Sequence, residues 1–428
     1  MNVAAADAAE TEWMVALLQR LVAAPTTLGH EEQGQAVMRD AFAACGLEPV
    51  DVPLDAEALR AHPHHSPFSW PVEGKRNVVA TWAGTGGGRS LILNGHVDVV
   101  PPANEALWTS PPFQPRVVGD WLYGRGAGDM KAGLAAMTGA VRALRRAGVR
   151  LAGDVQLQSV VEEECTGNGA LQCLIDGHTA DACVLTEPHP DHLTVAQVGV
   201  LWFHVEIAGA PAHAARASTL GSNAIDAAYA VLGELRELER ELNVDPPAPF
   251  DAFEHPINLN PGIVSGGDWP STVAAGCTLS CRLALYPGER PQELRARIEE
   301  AVARSARGGF TATVRYDGFA CEGSLVAADE PLVQTLSKAY AGVHGEGPAL
   351  EATTATTDAR HFIRSGIPAV CFGPRAEEIH GIDERVSLSS MVECARVLAH
   401  FALDWCGDTS SGGALAHAGR GGEEDGHR

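Results

Sequence analysis

The stretch LILNGHVDVVPP, residues 91–102, decides the reading of this chain. It opens as an apolar run of strand type and stops at Gly95-His96. An imidazole therefore stands where a strand ends. Asp98 follows two residues later on the same face, placed to orient the His96 ring and raise its basicity. The pattern recurs. Val155–Val161 alternates apolar and polar residues and runs into Glu162-Glu163-Glu164, and ACVL (182–185) runs into Thr186-Glu187-Pro188. In open α/β sheets, sites gather beyond the carboxyl ends of strands, so these groups are expected along one sheet edge.

Two more segments carry ligating chemistry. In YGRGAGDMKAG (123–133), Asp129 precedes a helix whose apolar stripe is Leu134, Met137, Val141 and Leu144. Arg142, Arg145 and Arg146 suit the negative end of that helix, and Gly148 can terminate it. Alone, Asp129 reads as a helix N-cap; a ligand bridging two cations is the alternative. In EEIHGIDE (377–384), His380 alone reads as a surface histidine. Two imidazoles among carboxylates suit a borderline divalent metal. Consecutive glutamates repel one another, and a cation would offset this by holding one ionised. Its neighbour could then take a proton from water, whose pKa falls to about 7 on zinc.

Around these motifs the chain reads as α/β. Residues 12–48 are helical, with apolar stripes Trp13, Val15, Leu17, Leu18, Leu21, Val22 and Val37, Met38, Phe42. The run AGTGGGR (83–89) is a turn between strands Asn77–Trp82 and Ser90–Leu93. From about Val198 the texture changes to β-α-β-β-α-β, with helices at Asn223–Leu242 and Gln292–Ala306, the order of a split βαβ sandwich. Helices at Leu332–His344, Thr357–Ser365 and Leu388–Trp405 and a strand in PAVCFGP follow. The expected domains are a catalytic first part (1–197), an inserted lid and dimerisation domain (198–317), a catalytic second part (318–405) and a disordered Gly/Ser-rich tail (406–428).

Composition narrows the function. The chain has 428 residues, 45% apolar and 20% charged, with a formal net charge of −23. Such acidity disfavours nucleic-acid and membrane-surface roles. No run approaches the roughly 20 apolar residues of a membrane span, and the N-terminus lacks the basic and apolar regions of a signal peptide. Ten cysteines without a CxxC pair suit reduced, buried thiols and a cytoplasmic location.

Together, GHVDVVPP, GRGAGDMKAG, EEECTGNG and TEP resemble the dinuclear-metal amidohydrolases of the M20 peptidase family. That family holds acetylornithine deacetylase, succinyl-diaminopimelate desuccinylase, aminoacylase-1 and the glutamate carboxypeptidases. The match covers nearly all of residues 10–405. The resemblance implies a hydrolase-like zinc-peptidase catalytic domain with a mixed sheet and an inserted ferredoxin-like α+β lid. It implies two divalent ions, Zn²⁺ or Co²⁺ with Mn²⁺ as an option: His96 and Glu187 on one, Glu164 and His380 on the other, Asp129 bridging. Glu163 would be the general base, Asp98 the partner of His96, and the Asp129-Met130 bond cis.

The same resemblance makes His213 in GAPAHAARA a lid histidine that steadies the oxyanion from a partner subunit of a homodimer; by itself it could equally be an exposed loop residue. It gives Arg282, Ser271, Thr357, Asp358, Arg360 and Gly373 to the substrate. One departure concerns Ser271 in WPSTVAA, which stands where many relatives place an asparagine, with Ala274 at the following proline. The implied activity is hydrolysis of the amide of a small N-acyl amino acid or N-acyl amine by a metal-bridging hydroxide. The alternatives are an exopeptidase or dipeptidase using the same site, and a non-catalytic binding homologue.

Overall fold

The computed structural model describes residues 8–189, 191–305 and 309–410. Its centre is a nine-stranded mixed sheet. Leu91–His96 lies inside that sheet, parallel to Val155–Val160 on one side and to Cys183–Leu185 on the other. All six of its residues are buried, as expected of a parallel strand covered on both faces. Arg76–Trp82 continues the sheet antiparallel beyond Val155–Val160, with Pro49–Pro53 at the edge. Ala369–Cys371 pairs parallel with Cys183–Leu185, and His192–Gln197 follows.

Helices cover both faces. On one, Ala132–Arg146 packs against Ala8–Ala23 and Leu388–Cys406, which in turn packs against Pro331–His344. Leu18, Phe42, Leu134, Met137, Leu144 and Phe401 fill the space between. On the other face, Ala170 and Cys173 of helix Asn168–Ile175 and Phe362 of helix Ala359–Arg364 meet Val79, Ile92, Val160 and Cys371. The parallel register puts His96 opposite Val160 and Asn94 opposite Leu185. The three strands therefore deliver their following residues to one edge.

The inserted domain has the expected β-α-β-β-α-β order: Gly199–Ala208, Ala224–Leu242, Leu259–Gly266, Gly276–Leu285, Pro291–Ser305 and Thr311–Arg315. Its sheet is antiparallel, in the spatial order fourth, first, third, second. Asn223 caps the first helix by accepting the Ile225 amide at 3.0 Å. The helix's buried stripe runs through Ala227, Val231, Leu235, Leu238 and Leu242.

The lid ends later than the expected boundary at 317. Ala320–Cys321 still pairs with Val200 and Leu201 of the lid strand, and the first strand back in the main sheet is Ser324–Leu325, on Gln197 and Ala196. The outgoing and returning crossovers touch backbone to backbone at Gly199 and Gly323, where a Cβ on either would overlap the other strand. The expected tail is also corrected at its start. Cys406 closes the last helix, and Gly407, Asp408 and Thr409 bond back to residues 150–152. Residues 411–428 lie outside the described residues, as does Ala306 at the end of the expected second lid helix.

Candidate active site

His96 sits at the strand end with its ring almost wholly buried. Its Nδ1 donates to the Asp98 carbonyl at 2.9 Å, which turns Nε2 toward a group of carboxylates. Asp129 Oδ1 lies 3.1 Å from that nitrogen, Glu163 Oε2 3.8 Å and Glu187 Oε2 3.9 Å. The other oxygen of Asp129 lies 3.3 Å from His380 Nε2, and Glu164 Oε2 lies 3.1 Å from that same nitrogen. One aspartate thus faces two imidazoles, one with each oxygen. Ligand atoms of His96, Glu163 and Glu187, and of His96, Asp129 and Glu164, each fall within 4.8 Å of one another.

The local chain explains this placement. Asp129 does not cap the helix after it; Ala132–Arg146 begins behind Lys131 without a side-chain cap. Asp129 is in an extended conformation at the preceding turn, and its bond to Met130 is cis. Glu187 projects just past Cys183–Leu185 and is backed by Gly373, where a Cβ would overlap the Glu187 carbonyl. That packing accounts for the glycine.

The glutamate triplet divides into unlike parts. Glu162 turns away into a fully buried pocket, where Lys75 Nζ donates to it at 2.7 Å, Trp70 Nε1 at 2.8 Å and Thr166 Oγ1 at 2.9 Å. Glu163 and Glu164 face the site. Asp98 reaches them differently from the expectation: its carbonyl, not its carboxylate, takes His96 Nδ1. The carboxylate accepts the backbone amides of Glu163 at 3.3 Å and Glu164 at 3.0 Å. Asp98 therefore fixes the imidazole and both glutamates at once.

Electrostatically the site is rich in carboxylates. Among the described residues no lysine or arginine pairs with Asp129, Glu163, Glu164 or Glu187; their partners are His96 and His380. Burial, reinforced by Asp129, Asp358 and Glu164 against the pull of His96, pushes Glu187 up to about 8. Burial raises Glu163 well above the carboxylate range, with Asp358, Glu187 and Glu164 adding to it. Burial opposes the charged form of His380, yet Glu164 and Asp129 lift it to about 11. Groups that hold protons this tightly are short of positive charge, which divalent cations would supply. Both Asp129 oxygens and both imidazole nitrogens are directed inward, so the residues fit such ions. Glu163 Oε1 is buried without a hydrogen-bond partner.

The expected substrate residues scatter. Thr357 is buried, and its hydroxyl donates to Gln197 Oε1 at 2.7 Å. Arg360 is buried, and its guanidinium donates to the Thr357 carbonyl at 2.5 Å and the Thr166 carbonyl at 3.1 Å. Between them Asp358 is buried with neither carboxylate oxygen hydrogen-bonded, 3.5 Å from Arg360. Arg282, on lid strand Gly276–Leu285, reaches the Thr354 carbonyl at 3.3 Å. His213 and Ser271 are exposed neighbours on the lid, with Ala214 N donating to the Ser271 carbonyl at 3.0 Å. Neither His213 nor Ser271 is among the ion-pair partners of the cluster in the described residues. Sequence reasoning passed over Lys75 and Trp70, whose only signal was the need of a buried Glu162 for partners.

Residues 92–404 match the description of Peptidase family M20/M25/M40. An N-formyl-4-amino-5-aminomethyl-2-methylpyrimidine deformylase of Bacillus subtilis (strain 168) is 31% identical over 79% of this chain and 85% of its own length. A succinyl-diaminopimelate desuccinylase of Paracoccus denitrificans (strain Pd 1222) is 30% identical over 76% of this chain and 85% of its own. Among solved structures, the Bacillus subtilis YXEP protein, described as a dinuclear metal binding peptidase, superposes with a TM-score of 0.63 at 17% identity, covering 93% of this chain and 98% of that one. The family match, the deacylase relatives and the carboxylate-rich cluster agree: the chain belongs to peptidase family M20/M25/M40 and is a hydrolase of amide bonds.

Proposed function

We propose that this enzyme is a two-cation N-deacylase that removes a small acyl group, formyl first among candidates, from an amine. The observation that carries this reading is Asp129 turned between His96 and His380, with Glu163 beside them holding an unpartnered oxygen. In the proposed roles His96 and Glu187 hold one ion, Glu164 and His380 the other, and Asp129 both. The ions, zinc, cobalt or manganese, would lower the pKa of water and polarise the scissile carbonyl. Glu163 takes a proton from the attacking water and returns it to the leaving nitrogen, so that a carboxylic acid and a free amine result. Its burial and raised proton affinity suit that shuttle. Asp98 keeps Glu163 and Glu164 in place by their amides.

The formyl preference rests on two deformylase relatives, at 31% and 30% identity. His213 would steady the oxyanion from a second copy, since it stands exposed on its own lid. A homodimer is supported by the lid's outer strand, Leu259–Gly266, where Ile263 is 65% and Val264 67% exposed, with exposed Trp269 and Tyr229 also on the lid. All ten cysteines are free and buried, which suits a reducing cytoplasm. The test is a panel of N-formyl, N-acetyl and N-succinyl amines against dipeptides, using metal-loaded enzyme. Fastest turnover of N-formyl amines is expected; turnover of dipeptides alone would end the deacylase reading.

A further inference from the structure

Arg125 and Glu384 form an ion pair in the interior, Nη1 to Oε2 at 2.5 Å, with both side chains 1% exposed. Burying two charges is repaid only when their remaining hydrogen-bonding groups are filled. Here backbone fills all but one of them, Arg125 Nε, which is buried without a partner. Glu384 accepts the amides of Gly126 at 3.0 Å, Gly128 at 2.8 Å and Asp129 at 3.0 Å. Arg125 Nη2 donates to the carbonyls of Gly381 at 3.0 Å and His380 at 3.3 Å. One pair thus grips the backbone of Asp129 and, through its other member, the backbone of His380.

Both gripped residues lie on irregular chain. His380 has φ of 61°, with Glu378 at 56° and Asp383 at 57° on either side, and no ladder holds them. His96, by contrast, ends one sheet strand and Glu187 follows another, and they are fixed separately by the Asp98 carbonyl and by Gly373. We infer that the Arg125–Glu384 pair is a positioning device that sets the distance between Asp129 and His380, and thereby the affinity for the cation of Glu164 and His380, without touching that cation. The inference rests on the two-cation reading above.

The experiment titrates Co²⁺ into the metal-free full-length chain, following heat and visible absorption. Wild type should take up two equivalents. In Glu384→Gln the second should weaken by about 10–100-fold, the usual cost of losing an outer-shell partner, while the first stays near wild type. Arg125→Lys, whose single ammonium cannot reach Glu384 and both carbonyls together, should act in the same direction. Should a single variant fail to fold, Arg125→Gln/Glu384→Gln, which leaves no unpaired buried charge, decides by the same titration. An unchanged second equivalent, or equal weakening of both, overturns the inference. A wild type that takes up fewer than two equivalents instead overturns the two-cation reading, and the pair's proposed role with it.

Discussion

His96 Nε2 and Glu163 Oε2 face each other at 3.8 Å without a hydrogen bond between them. That separation suits groups that meet through something held between them. If Glu163 is the proton shuttle, Glu163→Gln should keep the fold and the metal content while turnover falls by about 10²–10⁴-fold. Metal analysis beside steady-state kinetics checks this; loss of bound metal would instead make Glu163 a ligand.

The carboxylate excess makes the metal-free protein sensitive to pH. Glu187 is raised from an ordinary 4.5 to about 8 and His380 from 6.5 to about 11. Each binds a proton more tightly folded than unfolded, so each stabilises fully below its ordinary value and stops doing so as pH rises through its raised one. Metal-free enzyme should therefore melt at progressively lower temperature from mildly acidic to alkaline pH. Bound cations should remove that slope. Melting curves against pH, with and without metal, give the comparison, and a metal-free protein that melts at constant temperature would contradict it.

Chelation should abolish turnover and lower the melting temperature. Added back at about 100 times its dissociation constant, a single ion contributes about 2.7 kcal/mol. Recovery with zinc, cobalt or manganese, tried in turn, would rank the metals by rate. Activity that survives exhaustive chelation would exclude metal dependence.

Gly373→Ala should cost about 1–3 kcal/mol, since its Cβ would overlap the Glu187 carbonyl and force backbone to move. Displacing Glu187 should also weaken the cation of His96. Chemical denaturation and metal titration read the two effects separately; wild-type values in both would show that the loop relaxes freely.

On the lid, Ile263→Glu places a charge on the exposed outer strand. If two copies join through the lid, sedimentation should show the variant as monomer and wild type as dimer, and if His213 acts in a neighbouring site, turnover should drop with it. A monomer with full activity would separate His213 from catalysis.

The fold was legible where periodicity was strong. Leu91–His96 and Val155–Val160 announce themselves by apolar residues that end at ligating ones, and Ala224–Leu242 by its stripe and asparagine cap. The lid's end was not legible, because Ala320–Cys321 is too short to signal its pairing with Val200 and Leu201. In the site, the glutamate triplet showed where chemistry gathers but not that Glu162 would turn to Lys75, a residue distant in sequence. Arg360 was placed on the substrate side by resemblance, and the carbonyls its guanidinium meets, Thr357 and Thr166, carry no side-chain signature.

Gly199 and Gly323 lie where the two crossovers run against each other. Their adjacency brings both covalent links of the lid to one place on the main sheet. A bulky side chain at either would splay the strands and tilt the whole lid, shifting Arg282 relative to Thr354 although every residue in the catalytic floor stayed the same.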